Sequence, residues 1–216
     1  MSNVIEVCNR ALASVRGKSI NSLTEGSVEA QQCKLHFDTA RQFVLRDNDW
    51  QFARKVAPLQ LRSETPLHWV FTYQYPGDCL NLKIVTGDFA FKSQQDDQLA
   101  NRGRFIAEFI EPELSVPFEI QHGGDGRIIV TDQNEAYAIY TADVDVALFD
   151  PLLVTALSHY LAMLIAVPVM GGDIGRAMRQ DASVMYAQSI SAAISASMNE
   201  SRRPKRKLPA LVTARM

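Results

Sequence analysis

Cysteine is scarce in this chain of 216 residues: Cys8, Cys33 and Cys79 stand far apart, and no two form a Cys-x-x-Cys pair. That spacing excludes a zinc knuckle and a disulfide framework, and it predicts three small buried hydrophobes in a reducing compartment. The four histidines, His36, His68, His122 and His159, are scattered, and none has a second histidine or a cysteine at metal-ligand spacing. Each reads as an ordinary surface or core residue, not a ligand or general base, so no metal and no cofactor are expected. The sequence has no visible internal repeat. It also lacks a basic stretch followed by an apolar one near its start, so no secretion signal is expected.

Long apolar runs are equally rare. Leu152 to Met170 alone invites a membrane reading, but Thr155, Ser158, His159 and Pro168 interrupt it, and a spanning helix wants ~20 cleaner apolar residues. A buried core helix and no membrane are expected. Phosphate-binding loops are missing too. Gly17-Lys18-Ser19 could end one, yet Leu12 stands where its first glycine is needed, inside a helical pattern. Gly124 and Gly126 begin a Gly-x-Gly pattern, but Ile129 takes the third position and a strand follows, which predicts a hairpin turn. The paired carboxylates Asp96-Asp97 and Asp143-x-Asp145 read as exposed loop or strand-edge residues, so nothing favours a hydrolase. No enzyme is expected.

What the chain does have is an adequate core and an uneven charge. At 47% hydrophobic and 21% charged it is too apolar for disorder. The formal net charge is −2, from 22 basic and 24 acidic residues. Six of the basic ones fall after Ser201: Arg202, Arg203, Lys205, Arg206, Lys207 and Arg215, with no acid among them. The rest holds 16 basic against 24 acidic residues, a formal −8. Such a body repels phosphate, so general nucleic-acid binding through the folded part is not expected.

The periodicity divides the chain. Val4, Ile5, Cys8, Leu12 and Val15 keep one helical face apolar from Asn3 to a stop at Gly17. Ser27 caps a second helix with Ala30, Cys33, Phe37, Ala40, Val44 and Leu45 on its inner face. From Gln51 to Ala147 short runs replace helices: Trp69 to Tyr75, Cys79 to Val85, Phe105 to Ile110, Arg127 to Thr131 and Ala136 to Thr141, punctuated by turns such as Pro76-Gly77 and Gly123-Gly124-Asp125-Gly126. Asp150-Pro151 opens a helix to about Val167, Gly171-Gly172 breaks it, and Asp173 caps a last helix to roughly Met198. The expected class is α+β. Helix pairs from residues 1–50 and 150–200 make a four-helix bundle-like domain, residues 51–149 are an inserted antiparallel β domain, and residues 201–216 are an extended basic arm. Trp50 and Phe52 are expected to plug the junction, and Asp78 to accept hydrogen bonds from turn amides.

Several linked stretches, in order, resemble a known family. They are Cys8-Asn9-Arg10-Ala11-Leu12, the turn Ile20-Asn21-Ser22-Leu23-Thr24-Glu25, Glu29-Ala30 with Cys33 and Phe37-Asp38, and Leu45-Arg46 followed by Trp50-Gln51-Phe52-Ala53. Further on come Trp69-Val70-Phe71-Thr72-Tyr73, Tyr75-Pro76-Gly77-Asp78-Cys79-Leu80 and Phe149-Asp150-Pro151-Leu152. Together they span most of residues 3–198 and resemble the head-to-tail adaptors of tailed bacteriophages, the tail tubular protein A family. The resemblance implies a virion neck protein assembled in the host cytoplasm, forming a homo-oligomeric ring of typically twelve copies. Its partners would be the portal protein above and a tail nozzle of the tail tubular protein B kind below, with DNA passing through unbound during ejection. The arm is the expected portal contact: Arg202, Arg203, Lys205, Arg206 and Lys207 to steer, Leu208, Leu211 and Val212 to anchor. An alternative is a DNA-associated packaging accessory protein that binds DNA through this basic tail. A third is a hydrolase built on the β region.

Overall fold

A computed structural model describes residues 3–64, 66, 68–87 and 115–200. The run Phe105 to Ile110, the pair Asp96-Asp97 and the arm 201–216 lie outside the described residues. The protein is α+β, with four helices and two three-stranded antiparallel sheets among the described residues.

Helix α1 spans Val4–Ser14, capped by the Asn3 side chain, which accepts from the Ile5 amide at 3.2 Å. It ends before the expected stop. Arg16, not Gly17, takes the left-handed conformation at φ 56°, and the Gly17 amide closes the turn on the Leu12 carbonyl at 2.8 Å. At Gly17 a Cβ would sit 3.0 Å from Leu12 Cδ2, so a larger residue there would make that side chain shift by a few tenths of an ångström. Helix α2 spans Val28–Asp47 with Ser27 as its cap. Between them, the Asn9 side chain clamps both backbone groups of Ile20, at 2.8 and 2.9 Å, and Glu25 accepts from the amides of Asn21 and Ser22. The turn motif thus has a local structural reason.

Helix α3 spans Pro151–Met170 behind its Asp150 cap. It is long and apolar enough to cross a membrane, but half of it is buried inside the protein. It runs past Val167 with Pro168 in its last turn, where the ring forfeits one helical hydrogen bond. Gly171 and Gly172 then turn the chain at φ 66° and 48°, a region glycine enters without steric cost. Helix α4, Gly172–Glu200, begins at Gly172 itself, so Asp173 lies in its first turn and favours the helix dipole there instead of capping from outside.

The helices share one buried cluster. α3 supplies its axis with Leu153, Leu157, Leu161 and Ile165; α1 adds Val7 and Leu12, α2 adds Phe37 and Val44, and α4 adds Ala182, Ile190 and Ala193. α1 and α2 each rest chiefly on α3 and hardly touch one another. At Gly175 a Cβ would approach the Ala166 carbonyl oxygen and Val167 Cα at 2.9 Å, so glycine lets α4 close tightly on α3.

A 3-10 turn at Gln51–Ala53 leads into the strands: β1 Arg54–Pro58, β2 Phe71–Gln74, β3 Cys79–Gly87, β4 Phe118–Gly123, β5 Gly126–Thr131 and β6 Ala136–Ala142. One sheet has the order β1-β6-β3, the other β2-β5-β4. β4 and β5 form the hairpin expected at Gly123 to Gly126, closed by the Gly123–Gly126 pair. Tyr73, Ile129, Val85, Ala138 and Tyr140 from both sheets meet in a second core.

Candidate functional site: the helix–strand crossing and the C-terminal arm

Among the described residues the chain leaves the helices at Trp50 and returns along Asp143 to Phe149. Trp50 is 2% exposed; its indole nitrogen donates to the Val44 carbonyl at 2.9 Å, tying the crossing to the end of α2. It sits within the helical core, beside Leu153 of α3 and the small side chains Ala193 and Ala196 of α4, with which it borders a cavity of about 20 Å³. Phe52 lies further out, 37% exposed, its ring 5.5 Å from that of Phe149.

The return crossing is fastened by Arg41, a residue on α2. Its guanidinium pairs with the Asp143 carboxylate, donates to the Val144 carbonyl at 2.7 Å, and reaches Asp38 at 3.6 Å. The Gln42 amide adds a bond to the second Asp143 oxygen at 3.2 Å. Asp143 is therefore not a free loop carboxylate but half of an ion pair, with its side chain 28% exposed and that of Arg41 only 14%. Asp145 caps the following turn by accepting from the Ala147 amide. Beside this lock lies an open groove of about 460 Å³, floored by Val4, Leu23, Phe37 and Val146 and rimmed by Asp38, Arg41 and Asp143.

Asp78, in the turn before β3, takes side chains as its partners. Lys55 Nζ donates to one oxygen at 2.6 Å and the Tyr140 hydroxyl to the other at 2.8 Å, with only its own amide on the backbone side. Burial pushes the Asp78 carboxyl up, but these donors outweigh it and hold it below the usual carboxylate range. Burial and the Asp78 carboxylate push the Tyr140 phenol up to about 12. Asp49 behaves alike: burial raises it, and bonds from Lys83 and Arg54 lower it further than burial lifts it. These groups fasten β1, β3 and β6 to one another, and they hold no spare acid or base.

All three cysteines are free and buried. Cys8 shares a hydrogen bond with Cys33 across α1 and α2, and that contact together with burial pushes its thiol up, so it stays protonated. His159 shares a contact of 3.2 Å with the Ser189 hydroxyl, but that hydroxyl also donates to the Met185 carbonyl of its own helix at 2.8 Å, and burial pulls the imidazole down. No carboxylate completes a triad with them among the hydrogen bonds described. Among the described residues no cluster of His, Cys, Asp or Glu could hold a metal ion. The arm residues Arg202, Arg203, Lys205, Arg206, Lys207, Leu208, Leu211 and Val212 lie outside the described residues.

Sequence reasoning missed the Arg41 lock and a ladder of rings across the helices. Phe43 of α2 stacks on Tyr160 of α3 at 4.4 Å, and Tyr160 meets Tyr186 of α4 at 5.0 Å. The Tyr186 hydroxyl then donates to Asp47 at 3.1 Å. Arg41 and Asp143 are far apart in the chain, and no local pattern links them. The chain matches no model of a known protein family, and no curated protein matches it.

Proposed function

We propose that this protein is a structural subunit of a head-to-tail adaptor ring in a tailed bacteriophage, with no catalytic role. The observation that carries the reading is the order of elements, two helices, strands, two helices, with α3 serving as the common support of α1, α2 and α4. In this reading residues 1–50 and 150–200 form a four-helix bundle-like domain, residues 51–149 an inserted β domain, and residues 201–216 a portal-binding arm. The motif stretches that resemble the family have architectural uses here. Asn9 and Glu25 shape a turn, Trp50 fixes a crossing, and Asp78 joins strands. A scaffold protein needs its motif residues for such work.

The acidic body suits a ring through which DNA passes, since negative walls do not retain phosphate. A ring of twelve copies would sit between portal and tail nozzle in the virion neck, after assembly in the host cytoplasm and away from any membrane. Deleting residues 202–216 should leave melting behaviour intact and abolish binding to the portal, as seen by electron microscopy of the two proteins mixed. A truncated protein that still decorates the portal fully would defeat the arm assignment.

The second reading, a packaging accessory that binds DNA through the tail, draws on the six basic residues after Ser201. It requires duplex binding that weakens steeply with salt and disappears with the same truncation.

A further inference from the structure

We infer that the groove beside the return crossing is a docking site for this chain's own C-terminal arm in the free subunit, with the basic run of the arm against the rim and its apolar run over the floor. The contact lies within one copy, so it holds whether or not the subunit belongs to a ring.

The groove forms where α1, the turn before α2, α2 itself and the return segment meet, and its volume of about 460 Å³ falls within the ~300–1,000 Å³ of clefts that bind ligands. Val4, Leu23 and Val144 are half-buried in it, with Phe37 and Val146 beneath them. Covering such an apolar floor removes it from water and is favourable. The rim carries three carboxylates, Asp38, Asp143 and Asp145, against one cation, Arg41. Arg41 is committed to Asp143 and reaches Asp38 only at 3.6 Å. The Asp38 side chain stays 77% exposed, and Asp145 is exposed too, with the Ala147 amide on one of its oxygens. Three acids against one base leave the rim short of two positive charges.

That combination selects its occupant. Nucleic acid, free phosphate and anionic lipid are repelled by the rim. A metal ion finds no set of His, Cys, Asp or Glu that could hold it among the described residues. What fits is a segment that is cationic over one stretch and apolar over the next. The chain carries such a segment: Arg202, Arg203, Lys205, Arg206 and Lys207, followed by Leu208, Leu211 and Val212.

The point where α4 ends brings that segment within reach. Ser197 of α4 borders one cavity with Trp50, Phe52 and Asp150, so the end of α4 stands at the start of α3. Asp145 precedes Asp150 by five residues, which puts the rim at most ~18 Å from that point. α4 closes at Glu200, and each residue beyond it can advance ~3.3–3.6 Å. The basic run can therefore meet the rim while Leu208, Leu211 and Val212 are left for the floor. The tether also decides between occupants, because a segment on a short link is present at an effective concentration of order mM, and a basic segment of another protein has to displace it. At half occupancy the arm contributes a factor of two, ~0.4 kcal/mol, so a chain without it melts almost as the parent does. In the adaptor reading the groove and the portal compete for one segment, and the groove shields its apolar residues until a portal takes them.

The test places a nitroxide on the full-length chain at Ala210→Cys, the three native thiols being buried, and reads the broadening of backbone amides by NMR. The amides of Leu23, Asp38 and Val144 should broaden, and those of Gly171 and Gly172, at the far end of α3, should not. The pattern should persist when the labelled chain is diluted into excess unlabelled protein. Asp38→Lys should weaken it roughly threefold, about the loss of one exposed ion pair and the gain of one repulsion, and added salt should weaken it as well. The arm variant Lys205→Glu/Arg206→Glu/Lys207→Glu, which leaves the described fold untouched, should lose the contact, and adding Asp38→Lys to it should restore part. Broadening spread evenly over the protein or centred elsewhere would overturn the inference, as would a pattern indifferent to both variants and to salt. Broadening that disappears on dilution would give the groove to the arm of a second copy and overturn it too. The ring reading is judged separately, by whether the parent decorates portal in electron micrographs.

Discussion

Replacing Trp50 by alanine tests whether the first crossing is built into the helical core. The indole is 2% exposed and is bordered on α4 by Ala193 and Ala196, whose short side chains have no atoms to swing into the space it would leave. Truncating a buried tryptophan costs ~3–5 kcal/mol, and a site that cannot collapse belongs at the upper end. The Val44 carbonyl also loses its donor, which adds ~1–3 kcal/mol if water does not replace it. At ~2–4 °C per kcal/mol for a chain of this size, melting should fall by roughly 10 °C or more. Trp50→Phe shifts the balance between the two contributions, since it keeps most of the apolar bulk while removing the hydrogen bond, and it should fall by a few degrees. Far-ultraviolet circular dichroism melts and urea titrations of parent and both variants give the comparison. If Trp50→Ala melted with the parent yet no longer assembled, Trp50 would be an interface residue and its placement in the core would be refuted.

Further outcomes follow from the same contacts. Gly175→Ala would ordinarily stabilise a helix by ~1 kcal/mol, but the added Cβ meets the backbone of Ala166 and Val167 at 2.9 Å, so a loss of ~1–3 kcal/mol is expected; a gain in urea midpoint would show that α3 and α4 can separate freely. The carboxyls of Asp49 and Asp78 sit below the usual range in the folded protein, so their stabilising effect is present above about pH 4 and is lost as pH falls through the lower folded values. Melting temperature should therefore drop as pH falls below about 4, and the double variant Asp49→Asn/Asp78→Asn should drop less; equal slopes would remove these residues from the account. Arg41→Ala should destabilise the return crossing, and adding Asp143→Ala to it should cost little more, because the two side chains act as one pair. Static light scattering at micromolar concentration should show mostly monomer, whereas a closed ring without portal would show that templating is unnecessary.

How much of this was legible in the sequence varies with distance along the chain. Local signals read well: Asn3, Ser27 and Asp150 cap the helices expected of them, and Gly171-Gly172 marks the α3–α4 turn. Two strands escaped notice. β1 reads Arg-Lys-Val-Ala-Pro, charged and ending in proline, and β4 reads Phe-Glu-Ile-Gln-His-Gly, mostly exposed; both owe their strand state to pairing with β6 and β5. The split into two sheets was unreadable for the same reason, since strand order depends on partners remote in sequence. The Asp78 partners and the Arg41 lock are remote as well. The single carboxylate pattern Asp143-x-Asp145 gave no hint that one member would meet α2 and the other would cap a turn.

The dependence of α1 and α2 on α3 sets a timetable for synthesis. At ~5–20 residues per second, the ~100 residues between Asp47 and Pro151 take roughly 5–20 s to emerge. During that interval the first two helices have no partner for Val7, Leu12, Phe37 and Val44, and they bury little against each other. The strands finish sooner, for β4 and β5 form a hairpin as they emerge, and β6 follows at once to close on β1 and β3, which are already made. The nascent chain therefore completes its middle before its beginning. Its opening segment waits as a loosely ordered, chaperone-accessible stretch, and the arrival of α3 converts it into a core.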